Sequence, residues 1–286
     1  MSLPVLIAGC GYTGSRVARR LAGRGVSVIA AGRSFRHLGD DGRIRQIQVD
    51  FREPESLKRL QRELPEELLL LHSVPVLEGP REVTRELLET LGARAQRIVY
   101  LSTTAVYGDQ HEVNETSVPS PRTEEACLRL AAEQIVLAAP CPSIVLRPAA
   151  IYGPGRGVHV SIPAGRFRLA GDGSAWVSRV HVEDLAALIE AALKSQVGGA
   201  WPVADEEPAR QRDIAAFVCD LLGCPMPASA PPARLHRTLR ANRRVDGRAV
   251  FRAHGLTLRY PTYRTGIPAC LAAEGNGTQG ALQSEA

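Results

Sequence analysis

The sequence predicts an α/β protein in which a doubly wound parallel sheet is joined to a smaller C-terminal lobe. Three observations support this fold class. The chain opens with an apolar strand, a glycine motif and a helical segment. Its first half alternates short apolar strands with helical segments, and the pattern becomes less regular beyond about residue 150. Because alternating strands and helices form parallel sheets, residues 1–150 are predicted to form one domain and residues 151–273 a partly interleaved lobe.

The first strand and the glycine motif organise the rest of the chain. Residues 5–8 (VLIA) form a short apolar run, which is typical of a strand buried on both faces. Residues 9–14 (GCGYTG) follow as G-x-G-x-x-G, a helical segment then ends at Gly25, and residues 26–30 form a second strand. This order of strand, glycines, helix and strand indicates a Rossmann fold.

Each position of the motif requires glycine for a physical reason. The first allows a tight turn, the second lets the backbone approach a pyrophosphate, and the third lets the helix pack close to the strand. Unpaired N–H groups and the helix dipole favour an anion at this helix N-terminus. An ordinary glycine-rich turn of another doubly wound protein is the alternative. The residues predicted to contact a dinucleotide here are Gly9, Gly11, Tyr12, Thr13 and Gly14.

The end of the second strand predicts NADP, with NAD left open as the alternative cofactor. An NAD-binding unit usually places Asp or Glu about 20 residues further on, where the carboxylate binds the ribose 2′-OH. This chain has Arg33 there, with Arg36 close behind. A guanidinium pairs with a phosphate and cannot accept a hydrogen bond from a hydroxyl, so Arg33 is expected to bind a 2′-phosphate. The alternative is that Arg33 is a solvated surface arginine.

Composition narrows the class of protein. Apolar content of 44% and charged content of 23% are typical of a globular domain. No apolar run approaches the roughly 20 residues of a membrane helix, and the N-terminus lacks the basic region of a signal peptide. The six cysteines include no C-x-x-C and no histidine cluster has metal spacing, so we expect free thiols, no metal site and a cytoplasmic location. The net charge is +5, but aromatic residues are not interleaved with the basic ones as in proteins that bind single strands. Nucleic-acid binding is therefore not expected.

Further elements follow from apolar periodicity. The predicted strands are residues 47–50, 67–73, 97–101, 143–146 and 201–203, and the predicted helices are residues 54–62, 81–94, 123–138, 183–194 and 211–222. Thr123 is the expected N-cap of its helix. Residues from Glu274 onward are polar and glycine-rich, which predicts a disordered tail over 274–286.

A hydroxyl-rich segment, residues 102–109 (STTAVYGD), follows the strand at 97–101. Ligands of open α/β sheets bind outside the carboxyl ends of strands. The hydroxyls of Ser102, Thr103 and Tyr107 are therefore candidates for a site, with Ser102 assigned to the cofactor. A turn that caps its own backbone is the alternative interpretation.

Five segments in order resemble the extended short-chain dehydrogenase/reductase family, the NAD-dependent epimerase/dehydratase group that acts largely on nucleotide sugars. They are AGCGYTG at 8–14, YLSTTAVYGD at 100–109, LRPAAIYGPG at 146–155, RVHVEDLAALIEAAL at 179–193 and LTLRYPTYRTGI at 256–267. The resemblance covers roughly residues 3–271. It implies an NAD(P)-dependent oxidoreductase or epimerase with a small-molecule substrate, Asp50 near the adenine, and Val74 and Pro75 along the dinucleotide. It also implies a homodimer through the helices at 81–94 and 123–138. The apolar face formed by Val83, Leu87 and Leu91 would suit such a contact, and it would equally suit packing on the sheet.

The resemblance implies a catalytic Ser or Thr together with a Y-x-x-x-K helix, and only the first is kept. Thr103 takes the Ser/Thr position, whereas Glu125 and Arg129 stand at the tyrosine and lysine positions. A Glu–Arg pair four residues apart is also a common surface salt bridge, worth a few tenths of a kcal/mol. The Asp-Glu pair of the dehydratases is replaced by Thr104 and Ala105, so dehydration by that route is not expected.

Two functions are compatible with this pattern. The first is an NADP-dependent oxidoreductase or epimerase in which Thr103 orients the substrate and Glu125 or Tyr107 handles the proton. Its anionic substrate, a nucleotide sugar for example, would be held by Arg147, Arg179 or the arginines of residues 234–244. The second is a non-catalytic NADP(H)-binding sensor or scaffold, which would keep the glycine motif without the Tyr and Lys.

Overall fold

The computed structural model describes residues 3–39, 41–76, 82–235 and 241–283. Its strands are β1 (Val5–Ala8), β2 (Val28–Gly32), β3 (Ile44–Gln48), β4 (Leu68–His72), β5 (Ala95–Leu101), β6 (Glu112–Val113), β7 (Ser143–Pro148), β8 (Ala150–Tyr152), β9 (Leu169–Ala170), β10 (Trp176–Val177), β11 (Arg179–His181), β12 (Gly199–Val203), β13 (Ala209–Arg210), β14 (Ser229–Ala230) and β15 (Arg244–Val245). Its helices are α1 (Tyr12–Ala22), α2 (Pro54–Glu63), α3 (Thr84–Leu91), α4 (Glu124–Leu137), α5 (Val158–Ser161), α6 (Val182–Leu193), α7 (Gln211–Leu222), α8 (Arg248–Ala253) and α9 (Tyr263–Gln283).

Seven strands form one sheet in the order β12-β7-β5-β4-β1-β2-β3. Every neighbouring pair in it is parallel. The chain runs outward from β1 through β2 to β3, then crosses back to β4 on the other side of β1. The predicted doubly wound parallel sheet is thereby confirmed, and its switch point lies between β1 and β4, where ligands of such sheets bind.

Helices cover both faces of the sheet. Apolar residues of α1 and α6 pack on one face. Those of α2, α3 and α4 pack on the other face. The apolar face Val83, Leu87 and Leu91 belongs to this second layer and is fully buried against the sheet, so packing on the sheet accounts for it.

The seventh strand comes from beyond residue 150. β12 pairs with β7, with Trp201 opposite Leu146. α6 also belongs to the first domain, because it packs against α1. The sheet domain therefore includes segments far beyond residue 150, among them α8, whose Val250 and Phe251 belong to the same apolar core as α1 and α6. The C-terminal lobe is formed by the segments between them.

The C-terminal lobe has a separate apolar core around α7 and α9. Tyr152, Phe167, Ile214, Tyr263 and Cys270 are buried together in it. α9 extends to residue 283, into the segment whose composition predicts disorder, and residues 284–286 lie outside the described residues. Among the described residues, no helix combines the length and apolar character that crossing a bilayer requires.

Candidate dinucleotide site

A cleft of about 160 Å³ opens at the carboxyl ends of β1, β2 and β4, beside the switch point of the sheet. Three neighbouring strands end here, so the chain turns away from the sheet on each side and leaves a groove between the loops. The residues that line it are Gly9, Cys10, Gly11, Gly32, Arg33, Ser34, Asp50, Phe51, Ser73, Val74 and Pro75.

The glycines of the motif fit a dinucleotide for reasons visible in the backbone. Gly9 has a φ of +87°, and a Cβ on it would lie 2.7 Å from the Ser73 carbonyl carbon and the Val74 nitrogen. A Cβ on Gly14 would lie 2.9 Å from the Gly9 oxygen. A Cβ on Gly11 would meet no protein atom within 4 Å. Gly9 and Gly14 are therefore required by packing, whereas Gly11 leaves open space where a pyrophosphate could approach.

Helix α1 begins directly after Gly11, which has no side chain to cap it. Its first N–H groups are therefore available to an anion at this edge of the cleft. Tyr12 turns away from the cleft, since its hydroxyl donates to the Pro154 carbonyl at 3.0 Å. Thr13 is buried in the first turn of α1. Tyr12 and Thr13 can thus contribute backbone donors, whereas their side chains lie elsewhere.

Arg33 and Asp50 line the cleft from the loops that follow β2 and β3. Arg33 is exposed, and its guanidinium makes no hydrogen bond or ion pair within the described part of the chain. The Asp50 carboxylate is held by Arg52 through contacts of 3.0 and 2.6 Å. These bonds, with a smaller contribution from the charge of Arg33, lower the pKa of Asp50 to about 2. The wall of the cleft opposite the glycines therefore carries an unpaired guanidinium, that of Arg33, and an ionised carboxylate that is already paired with Arg52.

Three residues after β4 form the third wall. The Ser73 hydroxyl donates to the Gly9 carbonyl at 2.6 Å, which ties this wall to the glycine turn. The Val74 N–H donates to His72 Nδ1 at 3.4 Å. Burial, with the charge of Arg129, lowers the pKa of His72 to about 3, so its ring is neutral and Nδ1 can accept.

The predicted cofactor residues divide into two groups. Gly9, Gly11, Arg33, Asp50, Val74 and Pro75 line the cleft. The side chains of Tyr12 and Ser102 have protein partners outside it. Five lining residues were not predicted, and each lies next to a predicted one: Cys10, Gly32, Ser34, Phe51 and Ser73. Taking one flanking residue on each side of every predicted residue would have found all five.

A buried network at the carboxyl ends of β5 and β7 joins four side chains, which are Ser102, Tyr107, Glu133 and Arg147. The Ser102 hydroxyl donates to Glu133 Oε1. Arg147 Nη2 donates to Glu133 Oε2 at 2.6 Å, and its Nε bonds both carboxylate oxygens at 3.1 Å. Arg147 Nη1 donates to the Tyr107 hydroxyl at 3.0 Å. The Ser102 hydroxyl and the Arg147 guanidinium therefore both have partners within the protein, whereas the sequence predicts a cofactor for the first and a substrate anion for the second.

Tyr107 is fully buried, and burial raises its pKa above the usual range. A buried phenol that accepts a hydrogen bond from Arg147 cannot reach a substrate, so the structure argues against its predicted role in proton transfer. Thr103 is only half-buried, and its Oγ1 accepts from the Ala105 N–H at 3.2 Å. Its hydroxyl hydrogen remains available to donate away from the turn.

Helix α4 carries the two substituted positions. Thr123 caps it through a 3.2 Å bond from the Ala126 N–H, as predicted. Glu125 lies half-buried in its first turn. Arg129 is only 8% exposed and points inward, so the interpretation of this pair as a surface salt bridge does not describe it. Its Nη1 donates to the Val74 carbonyl at 3.1 Å and to the Tyr100 hydroxyl at 2.9 Å.

Of the remaining predicted anion ligands, Arg243 has structural contacts within the protein. Arg243 donates to the carbonyls of Thr104 and Gln110, which fixes the turn that follows Thr103. Arg179 is buried in the C-terminal lobe. Residues 236–240 lie outside the described residues.

The fold and the cleft together define a doubly wound protein of the Rossmann class. Residues 5–204 match the NAD dependent epimerase/dehydratase family, and the chain belongs to that family. The resemblance noted in the sequence is thereby confirmed.

Individual relatives agree at the level of fold. Over 113 residues the chain is 31% identical to a 3-diazoavenalumate denitrifying reductase of Streptomyces sp, a match that covers 37% of this chain and 37% of that protein. The chain spans about two fifths of the length of the curated relatives it matches. A functionally unknown conserved protein from Silicibacter pomeroyi DSS is 30% identical, with a TM-score of 0.79 over 95% of this chain and 99% of that one. The UDP-glucose 4-epimerase of Thermus thermophilus, solved with NAD, is 23% identical, with a TM-score of 0.78 over 93% and 96%.

Proposed function

We propose that this protein is an NADP-preferring oxidoreductase or epimerase that acts on a small anionic substrate, such as a nucleotide sugar, with a non-standard acid/base group. The observation that carries the proposal is the unpaired Arg33 guanidinium on the wall of the cleft. The neighbouring Asp50 carboxylate is already paired with Arg52. Family membership and a structural neighbour solved with NAD support dinucleotide binding in the same cleft. The cofactor, when bound, would accept or supply a hydride.

The residues of the cleft have distinct parts in holding the dinucleotide. The Gly11 backbone and the first N–H groups of α1 would bind the pyrophosphate, because the helix N-terminus favours an anion. Arg33 would pair with the 2′-phosphate, which a guanidinium binds through charge-assisted hydrogen bonds. Asp50 would lie near the adenine, and Val74 with Pro75 would cover the dinucleotide from the β4 side.

The cofactor preference is tested by Arg33→Asp. We expect the affinity for NADPH to fall roughly 10–100-fold, because a charge-assisted contact to phosphate is lost, while NADH binding changes little. Nicotinamide fluorescence titrations with both nucleotides measure this. The matched control is Arg36→Asp, which makes the same charge change three residues away, at a residue outside the cleft lining. Tighter binding of NADH than of NADPH by the unsubstituted protein would overturn the preference.

Thr103 and Glu125 are the groups assigned to the substrate. The Oγ1 atom of Thr103 accepts from its own turn, which directs its hydroxyl hydrogen outward, where it can polarise a substrate oxygen. Helix α4 packs against this turn, and Glu125 stands at its N-terminal end. A carboxyl there would take up or release the proton that the family assigns to a tyrosine.

Glu125→Gln tests the proton carrier. We expect kcat to fall roughly 10²–10⁴-fold with little change in KM, because the amide cannot exchange the proton. NADPH oxidation against a panel of nucleotide sugars and small oxo acids would identify the substrate for this assay. Glu124→Gln is the control, since it removes the same charge from the same first turn at an exposed residue. Equal activity of the two variants would remove Glu125 from the mechanism.

The second candidate is a non-catalytic NADP(H) sensor or scaffold. Arg129 favours it, because the group at the lysine position is held by Val74 and Tyr100 inside the protein. This candidate predicts tight NADPH binding without turnover of any compound in the panel.

A further inference from the structure

The Val74 peptide is held at both of its polar atoms. His72 Nδ1 accepts from its N–H, and Arg129 donates to its carbonyl. Because Nδ1 accepts, the His72 proton is on Nε2, which bonds Thr84 Oγ1 at 2.7 Å. Thr84 in turn donates to Glu82 Oε1 at 2.7 Å. The lining residue is therefore connected to the second helix layer through two independent chains of hydrogen bonds.

The wall formed by the residues after β4 is also constrained on the side that faces the glycine turn. The Ser73–Val74 peptide lies so close to Gly9 that a Cβ there would be 2.7 Å from its atoms. A shift of Val74 would therefore move the backbone that touches the glycine turn. The geometry of the β4 wall and that of the pyrophosphate turn are coupled by direct contact.

Arg129 is suited to positioning and unsuited to the role of a catalytic lysine. One nitrogen, Nη1, bridges the Val74 carbonyl and the Tyr100 hydroxyl, and Tyr100 is fully buried on β5. The guanidinium thus joins α4, β5 and the β4 wall. A lysine ammonium is a single point charge, whereas the planar guanidinium fixes donor directions toward acceptors on different elements.

We propose that Arg129 is a positioning residue for the dinucleotide cleft, acting through the Val74 carbonyl. This assignment rests on the proposed binding of NADP(H) in the cleft. It gives the arginine at the family's lysine position a new purpose, which is to hold the β4 wall against the glycine turn.

The experiment compares Arg129→Met with Arg97→Met. Arg97 is also buried, at 3% exposure against 8% for Arg129, and also donates to backbone carbonyls, including that of Ala192 at 3.1 Å. It lies near the start of β5, at the opposite end from the cleft. Both variants are expected to lose thermal stability to a similar degree. Only Arg129→Met is expected to raise the Kd for NADPH, by roughly tenfold or more, because small displacements of a binding wall are costly.

A second readout does not depend on the cofactor. Amide hydrogen exchange of peptides that cover residues 72–76 is expected to accelerate in Arg129→Met and to stay unchanged in Arg97→Met, both relative to the unsubstituted protein. Exchange that does not differ between the two variants would overturn the positioning role. If the unsubstituted protein bound neither nucleotide, the proposed function would fail, and the exchange data would still decide whether Arg129 holds this wall.

Arg129→Lys and Tyr100→Phe keep the test valid if the methionine variant does not fold. The lysine ammonium has three donors but lacks the planar geometry that fixes their directions, so we expect an intermediate Kd. Tyr100→Phe leaves the bond to Val74 intact, so its Kd is expected to stay within about twofold of the original value, less than a 1.4 kcal/mol change would give. A Kd for Arg129→Lys equal to that of the unsubstituted protein, or a larger loss with Tyr100→Phe, would contradict the role of the Val74 contact.

Discussion

Glu133→Ala is expected to lower the free energy of unfolding by about 3–5 kcal/mol, because it breaks a buried ion pair and leaves a charge without its partner. Glu133 is 1% exposed and accepts three bonds from Arg147 and one from Ser102. Arg147 is itself only 5% exposed, so its guanidinium would keep Tyr107 alone as a partner. Urea unfolding followed by circular dichroism measures the loss.

Two controls separate the unpaired charge from the loss of packing. Glu124→Ala changes an exposed carboxylate on the same helix and is expected to alter stability by no more than about 0.5 kcal/mol. In Glu133→Leu/Arg147→Met both charges are replaced by apolar groups of similar length, which often costs little. We therefore expect the double variant to be more stable than Glu133→Ala. If it were equally unstable, the cost would not come from the unpaired arginine.

The local features of the fold could be predicted because they depend on neighbours in sequence. The apolar run of β1, the glycine turn and the cap at Thr123 each need only a few consecutive residues, and all three lie where the sequence places them. The position of β12 as the seventh strand could not be predicted in the same way. It depends on pairing with β7, a contact between segments more than 50 residues apart whose short strands carry no pairing signal of their own.

The same distinction applies to the site. Arg33 was predicted from its position after the second strand, and Asp50 and Val74 from the family resemblance. All three follow strands of a parallel sheet, and such strands end at one edge. Tyr107 and Ser102 also follow a strand, yet both hydroxyls are satisfied by the buried Arg147–Glu133 pair. Sequence does not reveal whether a polar group has a partner far along the chain. The contacts of Arg129 could not be predicted for the same reason, since its acceptors lie on β5 and after β4.

Gly9→Ala is expected to destabilise the protein by about 3 kcal/mol or more and to weaken NADPH binding strongly. Two effects add. A non-glycine residue at a φ of +87° carries backbone strain of about 1–3 kcal/mol, and overpacking costs a similar amount. The added Cβ would lie 2.7 to 2.8 Å from backbone atoms of Ser73 and Val74, which cannot rotate away as a side chain could. The β4 wall must therefore move, and with it the surface that would face the dinucleotide.

Gly11→Ala is the informative comparison, because its Cβ would enter open space and its φ is −84°. We expect its melting temperature to match that of the unsubstituted protein while its Kd for NADPH rises roughly tenfold or more, a loss of about 1.4 kcal/mol or more. Thermal melts and fluorescence titrations of the two variants then separate the two reasons for glycine in this motif. If Gly11→Ala bound NADPH normally, the pyrophosphate would not approach the backbone at Gly11. If Gly9→Ala were as stable as the unsubstituted protein, the close contact between the glycine turn and Val74 would not be a constraint on this fold.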